Sequence, residues 1–167
     1  LKIGVLLADK VVTVSTTYAN ETKWNQDLGH GLAQEFRDRG EDYFGILNGV
    51  DYSDWNSRTD EFIEQNFSHS RLAGRLENKK KLLAKNGLDQ SNLDIPTIGM
   101  ITRLTENKGL HLLTSIFDKM MTLDLNLVML GTGDPRYHKL FESIKMRFPH
   151  KLGLNLTFSK PMAHQIL

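Results

Sequence analysis

From Asp94 onward, short apolar runs alternate with amphipathic segments of helical length, and this alternation limits the possible fold more than any other feature. Thr97–Ile101 predicts a strand, Gly109 to about Leu123 a helix, Asn126–Leu130 a strand, Pro135–Phe148 a helix and Leu152–Thr157 a strand, with a last helix starting near Pro161. Leu110, Leu113, Ile116, Phe117 and Met120 mark the inward face of the first of these helices. Strands separated by helices of this length pair in parallel through right-handed crossovers, so an α/β class with a parallel sheet is expected.

The loop that follows the first of these strands, read with it as TIGMITRLTENKG, carries Arg103 and Lys108 and ends on Gly109. In open α/β sheets ligands sit beyond the carboxyl ends of the strands. A guanidinium and an ammonium in such a loop can converge on one pyrophosphate; the alternative is a solvated loop with two surface charges.

The earlier part of the chain is less regular. Leu1–Ala8 reads as the buried end of a helix, Lys10–Ser15 as a short strand, and Thr16–Lys23 as the start of a helix capped by Ser15 or Thr16. In GLAQEFRDR a short amphipathic helix would turn Leu32, Phe36 and Ala33 inward, and Phe44–Leu47 is a second apolar strand candidate. The Asn48-Gly49 turn opens a polar stretch to Asp60, expected to be a linker or domain crossing pinned by Tyr52 and Trp55. A helix over Ser70–Asn86 would present Leu72, Leu76, Lys80 and Leu83 on one face and stop at Gly87.

Composition narrows the class. With 40% hydrophobic and 25% charged residues the chain is of ordinary globular type, and a net charge of +1 argues against a nucleic-acid partner. There is no cysteine, hence no disulfide and no thiolate metal site, and the six histidines show no ligand spacing, so no metal is expected. No apolar run approaches membrane-spanning length, so no membrane partner is expected, and a soluble, cytoplasmic protein is the reading. A nucleophile elbow and a Walker loop are absent. Gly131-Thr132-Gly133-Asp134-Pro135 stands where a dinucleotide fingerprint would lie, but Arg136 replaces its third glycine. Asp134 as helix cap and Pro135 in the first turn explain that stretch locally, while its glycines would still let a ligand approach the backbone.

The segments ADKVVTVSTTYANE (Ala8–Glu21), GHGL (Gly29–Leu32), GILNGVDYSDWN (Gly45–Asn56), ENKKKL (Glu77–Leu82), IGMITRLTENKGLHLL (Ile98–Leu113), VMLGTGDPRY (Val128–Tyr137) and AHQI (Ala163–Ile166) occur in that order. Together they resemble the bacterial glycogen synthases and plant starch synthases, the glycosyltransferases that extend α-1,4-glucan from ADP-glucose. That resemblance implies part of a GT-B arrangement of two Rossmann-like domains. Residues 1–47 would end the acceptor-side domain, and residues 48–167 would supply the linker and first half of the nucleotide-sugar-binding domain, plastidial if the source is a plant.

By the same resemblance, Arg103 and Lys108 hold the diphosphate and stabilise the leaving ADP, Asn48 lies near the donor glucose and diphosphate, and Gly131 and Thr132 line the adenosine side. The implied reaction is retaining glucosyl transfer to the non-reducing end of an α-glucan, with no metal and no cofactor; ADP-glucose is the donor and ADP the product. The sequence departs from the family at Thr16, where proline is usual. It also lacks the family's N-terminal glycine-rich loop with its lysine, its acceptor-domain histidine and its later glutamate-and-glycine segment. An internal fragment, inactive alone and prone to self-association along an unfinished sheet, is therefore expected. Another nucleotide-sugar GT-B transferase, or a non-catalytic binding or assembly module on the same scaffold, is the alternative.

Overall fold

The structure is a computed structural model that describes every residue from Leu1 to Leu167. It divides into two compact units, Leu1–Asp51 and Tyr52–Leu167.

In the first unit, α1 (Lys2–Leu7), β1 (Val11–Thr13), α2 (Thr16–Trp24), α3 (Ala33–Asp38) and β2 (Tyr43–Gly45) follow one another, with β1 and β2 paired in parallel. Ser15 caps α2 by accepting the Tyr18 N–H at 2.9 Å, the geometry expected when a serine hydroxyl replaces a missing helical acceptor. Leu32, Ala33 and Phe36 are buried as the helical spacing predicts, and Val5, Ala19 and Tyr43 complete the small core. The Phe36 ring stacks on Tyr43 at 4.4 Å between centroids. The expectation that α1 is a buried helix end is overturned: only Val5 faces the core, and Leu1, Ile3 and Leu7 are exposed.

The second unit is a three-layer α/β body. Its sheet has the order β3 (Thr97–Ile101), β4 (Asn126–Leu130), β5 (Leu152–Asn155), all parallel, with Thr97 opposite Asn126 and Leu127 opposite Leu152. β4 is central and buried at every position, which is why it reads as an unbroken apolar run rather than an alternating one. Its side chains alternate between two cores. Leu127 and Met129 pack with Leu110, Phe117, Phe141 and Leu152 under α5 (Leu110–Met121) and α6 (Pro135–Arg147). Val128 packs with Leu82, Leu83 and Leu88 under α4 (Ala73–Lys85), against partly buried Met162 and Ile166 of α7 (Lys160–Ile166).

Two helix faces differ from the sequence expectation. On α4, Leu72, the residue before its first turn, and Leu76 are exposed, and the inward face carries Gly74, Leu82 and Leu83. Asn78 and Lys79 serve that side as backbone partners: Asn78 exchanges two hydrogen bonds with the Gln65 backbone, at 2.8 and 2.9 Å, and Lys79 Nζ donates to the carbonyls of Leu93 and Ile95. A face that turns inward to satisfy backbone groups does not show in hydropathy. On α5, Met121 is buried and Ile116 is exposed.

Candidate functional site

A cleft of about 690 Å³ opens beyond the carboxyl ends of all three strands of the second unit. Each strand contributes the residues that follow it: Thr102 and Arg103 after β3, Gly131 and Thr132 after β4, and Thr157 to Lys160 after β5. Asp54 and Trp55, from the irregular segment that precedes α4, form another wall.

The loops after β3 and β4 are joined backbone to backbone. Leu104, which is fully buried, donates its N–H to the Thr132 carbonyl at 3.0 Å and accepts the Asp134 N–H at 2.9 Å, forming an isolated parallel bridge with Gly133. This close approach accounts for two glycines. A Cβ on Gly131 would run into the Thr102 carbonyl, and one on Gly133 into the Leu104 carbonyl. Thr132 is held further by His138, whose Nε2 lies 3.3 Å from the threonine hydroxyl and accepts the Gly133 N–H at 3.1 Å. Because a backbone N–H can only donate, that nitrogen is the unprotonated one of the ring. Asp134 caps α6 through the Arg136 N–H, and Pro135 occupies the first turn, as the local reading predicts.

After Arg103, the chain makes a single tight turn at Glu106–Lys108 and reverses through Gly109, whose φ of 68° is the left-handed conformation that glycine adopts without strain. α5 starts there with no side-chain cap, and within its first turn the Leu112 N–H donates to the Gly109 carbonyl at 2.9 Å. Glu106 points towards α6 rather than towards the two cations. Its carboxylate accepts from the Tyr137 hydroxyl at 2.7 Å and from Arg136 at 2.5 Å, and His111 Nδ1 lies 3.3 Å away. The Tyr137 bond, with Arg136 and His111 adding their charge, holds the Glu106 carboxyl below the usual carboxylate range. The same bond to Glu106 raises the Tyr137 phenol. Arg103 and Lys108 are exposed and have no ion-pair partner, whereas Lys160 is paired with Asp54 at 2.6 Å.

Of the residues singled out in the sequence, Arg103, Gly131 and Thr132 line one cleft. Lys108 ends the tight turn of the same loop, outside the cleft lining, and Asn48 is an exposed residue of the first unit. Sequence reasoning missed Phe158, which stands 87% exposed at the cleft, and Lys160. It assigned Trp55 to pinning the linker alone, yet Trp55 both pins the segment and lines the cleft. An aromatic residue directly after the third strand's polar end, in a position equivalent to the two loops already suspected, was the signal for Phe158.

No family model matches the chain. It is 42% identical over 166 residues to the glycogen synthases of Thermosipho africanus and Kosmotoga olearia, and 39% identical to that of Streptococcus agalactiae. Each alignment covers 99% of this chain and 34% of the relative. Among solved structures it resembles the catalytic domain of starch synthase IV from Arabidopsis thaliana bound to ADP and acarbose. The TM-score is 0.91 at 33% identity, covering 99% of this chain and 34% of that one. The α/β fold expected from the strand and helix alternation, as part of a GT-B glycosyltransferase, agrees with that likeness. The chain spans about a third of the length of the relatives it matches, and along its whole extent it is homologous to glycogen synthases and to a starch synthase.

Proposed function

We propose that this chain carries the diphosphate and nucleoside side of the donor site of a glucosyltransferase that moves glucose from ADP-glucose to the non-reducing end of an α-1,4-glucan with retention of configuration. The observation that supports it most is the cleft bounded by the three strand-end loops. It combines the guanidinium of Arg103, which has no ion-pair partner, with small residues at the backbone and an exposed aromatic ring, and the loop that brings Arg103 to it carries Lys108 five positions further on. Arg103 and Lys108 would meet the two phosphates and offset the charge that builds on ADP as the glycosidic bond breaks, the work a divalent ion does elsewhere. Gly131 and Thr132 would lie along the nucleoside, and the Phe158 ring offers a flat apolar surface to a base. Asn48 keeps the donor-side role that resemblance implies, as a proposal carried by sequence alone.

The 167 residues on their own are proposed to bind ADP without transferring glucose, since they span a third of their relatives. The test is calorimetric titration of ADP, at low salt, into the chain and into Arg103→Ala/Lys108→Ala. Binding to the first that is lost in the second is the expected result. Equal binding to both would remove the diphosphate assignment. UDP titrated in parallel reads the base preference, and incorporation of labelled glucose into glycogen by the chain alone would overturn the proposed inactivity.

A further inference from the structure

The loop that carries Arg103 and Lys108 also carries a carboxylate between them. Left free, Glu106 would lie three positions from one cation and two from the other, able to neutralise either and to repel a phosphate. Instead it is turned to α6, where the Arg136 guanidinium and the Tyr137 hydroxyl donate to it, with His111 Nδ1 of α5 3.3 Å away. The tyrosine is the fixed point of this group. Its ring is buried, 5% exposed, while Glu106, Arg136 and His111 are all solvent-exposed. Arg136 is steered in turn by Asp134 at 2.9 Å, and its guanidinium lies 4.8 Å from the Tyr137 ring centroid.

We propose that Glu106 and Tyr137 are positioning residues of the anion loop: the Tyr137 hydroxyl latches the Glu106 carboxylate onto α6, which sets the tight turn carrying Lys108 and withdraws the loop's only negative charge from its two cations. This deepens the diphosphate reading above and rests on it. The latch has two separable effects. Geometrically it holds the turn, whose own hydrogen bonds, Lys108 N–H to Thr105 at 3.0 Å and Gly109 N–H to Glu106 at 3.1 Å, are short-range and weak in isolation. Electrostatically it keeps a carboxylate out of an anion site, an effect that exists only while the residue is charged.

The electrostatic part gives a signature that a merely structural contact would not. Tyr137→Phe removes the hydroxyl and leaves the charge, so Glu106 is freed to compete, and ADP affinity is expected to fall about tenfold, the low end of what one hydrogen bond to a charged group contributes. Adding Glu106→Gln removes the competing charge. The double variant is expected to recover ADP affinity to within about twofold of the parent by that same logic of unmade competition. A double variant that binds ADP as weakly as Tyr137→Phe, or more weakly, would overturn the proposal.

Amide hydrogen exchange at Lys108 and Gly109, read by NMR without nucleotide, tests the latch independently of any ligand. Exchange should be faster in Tyr137→Phe than in the parent, and unchanged exchange would also overturn it. Full ADP binding by Arg103→Ala/Lys108→Ala would instead sink the diphosphate reading, leaving the exchange result to judge the latch.

Discussion

Trp55 lies flat on His164, with ring centroids 3.9 Å apart and planes within 3° of parallel. His164 Nδ1 donates to Asp60 Oδ2 at 2.7 Å, the other Asp60 oxygen accepts the Phe62 N–H at 2.9 Å, and Gln165 donates to the Phe62 carbonyl at 2.8 Å. A stretch of some twenty residues without helix or strand is thereby fixed to the last helix, and one wall of the cleft with it. His164→Ala removes a buried ring and strands a nearly buried carboxylate, so a loss of about 2–4 kcal/mol is expected from urea unfolding. Trp55 emission, read in a Trp24→Phe background, should change at the same time. An unchanged spectrum would show that the stack does not hold the indole.

The glycine after β4 is a packing requirement before it is a ligand feature. Gly131→Ala would drive a methyl group into the Thr102 carbonyl and is expected to cost about 2 kcal/mol or more, since backbone on both sides would have to move. Gly49→Ala meets nothing within 4 Å and should be close to neutral. Thermal melts of the two variants side by side would show the contrast, and equal shifts would refute it.

Acidification should undo the Glu106 latch. The carboxyl has a folded-state pKa below its unfolded value of 4.5, so its stabilisation is present above that value and disappears as pH falls through the folded one. For Tyr137 the folded pKa is raised above 10.0, so its part is present below that value and disappears as pH climbs through the folded one. The difference in melting temperature between the parent and Glu106→Gln should therefore be flat near neutrality and vanish in acid. A difference that grew below pH 4 would contradict the assignment.

Core truncation at the α6 contact should be among the most damaging single changes. Phe141 is completely buried beside Phe117 and Tyr137, and Phe141→Ala is expected to cost about 3–5 kcal/mol by denaturant titration. Leu140, its exposed neighbour in sequence, should tolerate alanine within about 1 kcal/mol.

β3 pairs with β4 on one side and with no strand on the other, and Ile98 and Ile101 are both exposed. We expect concentration-dependent association in sedimentation velocity, reduced by Ile101→Lys, because a lysine on an edge strand discourages pairing. A concentration-independent monomer would end that expectation.

Much of the second unit was readable from its residues because local and global signals agree there. The β4 run and the Asp134-Pro135 helix start each have a complete local explanation, and the structure uses it. The sequence failed where a polar side chain faces inward. Lys79 and Asn78 look like solvated positions until the carbonyls and amide they serve are known, and those lie about fifteen residues away in the chain. Phe158 and Trp55 were hidden for the opposite reason: nothing in the chain itself says that the ends of the segments carrying them converge on the loop of Arg103.

The backbone bridge at Leu104 makes the cationic loop and the glycine loop a single inheritable part. Anyone exchanging donor specificity between relatives by grafting residues 102–109 alone would leave the new loop facing carbonyls and amides set for the old one. A transplant that works would have to carry residues 131–137 as well, so natural variation in the two stretches should be exchanged as a pair.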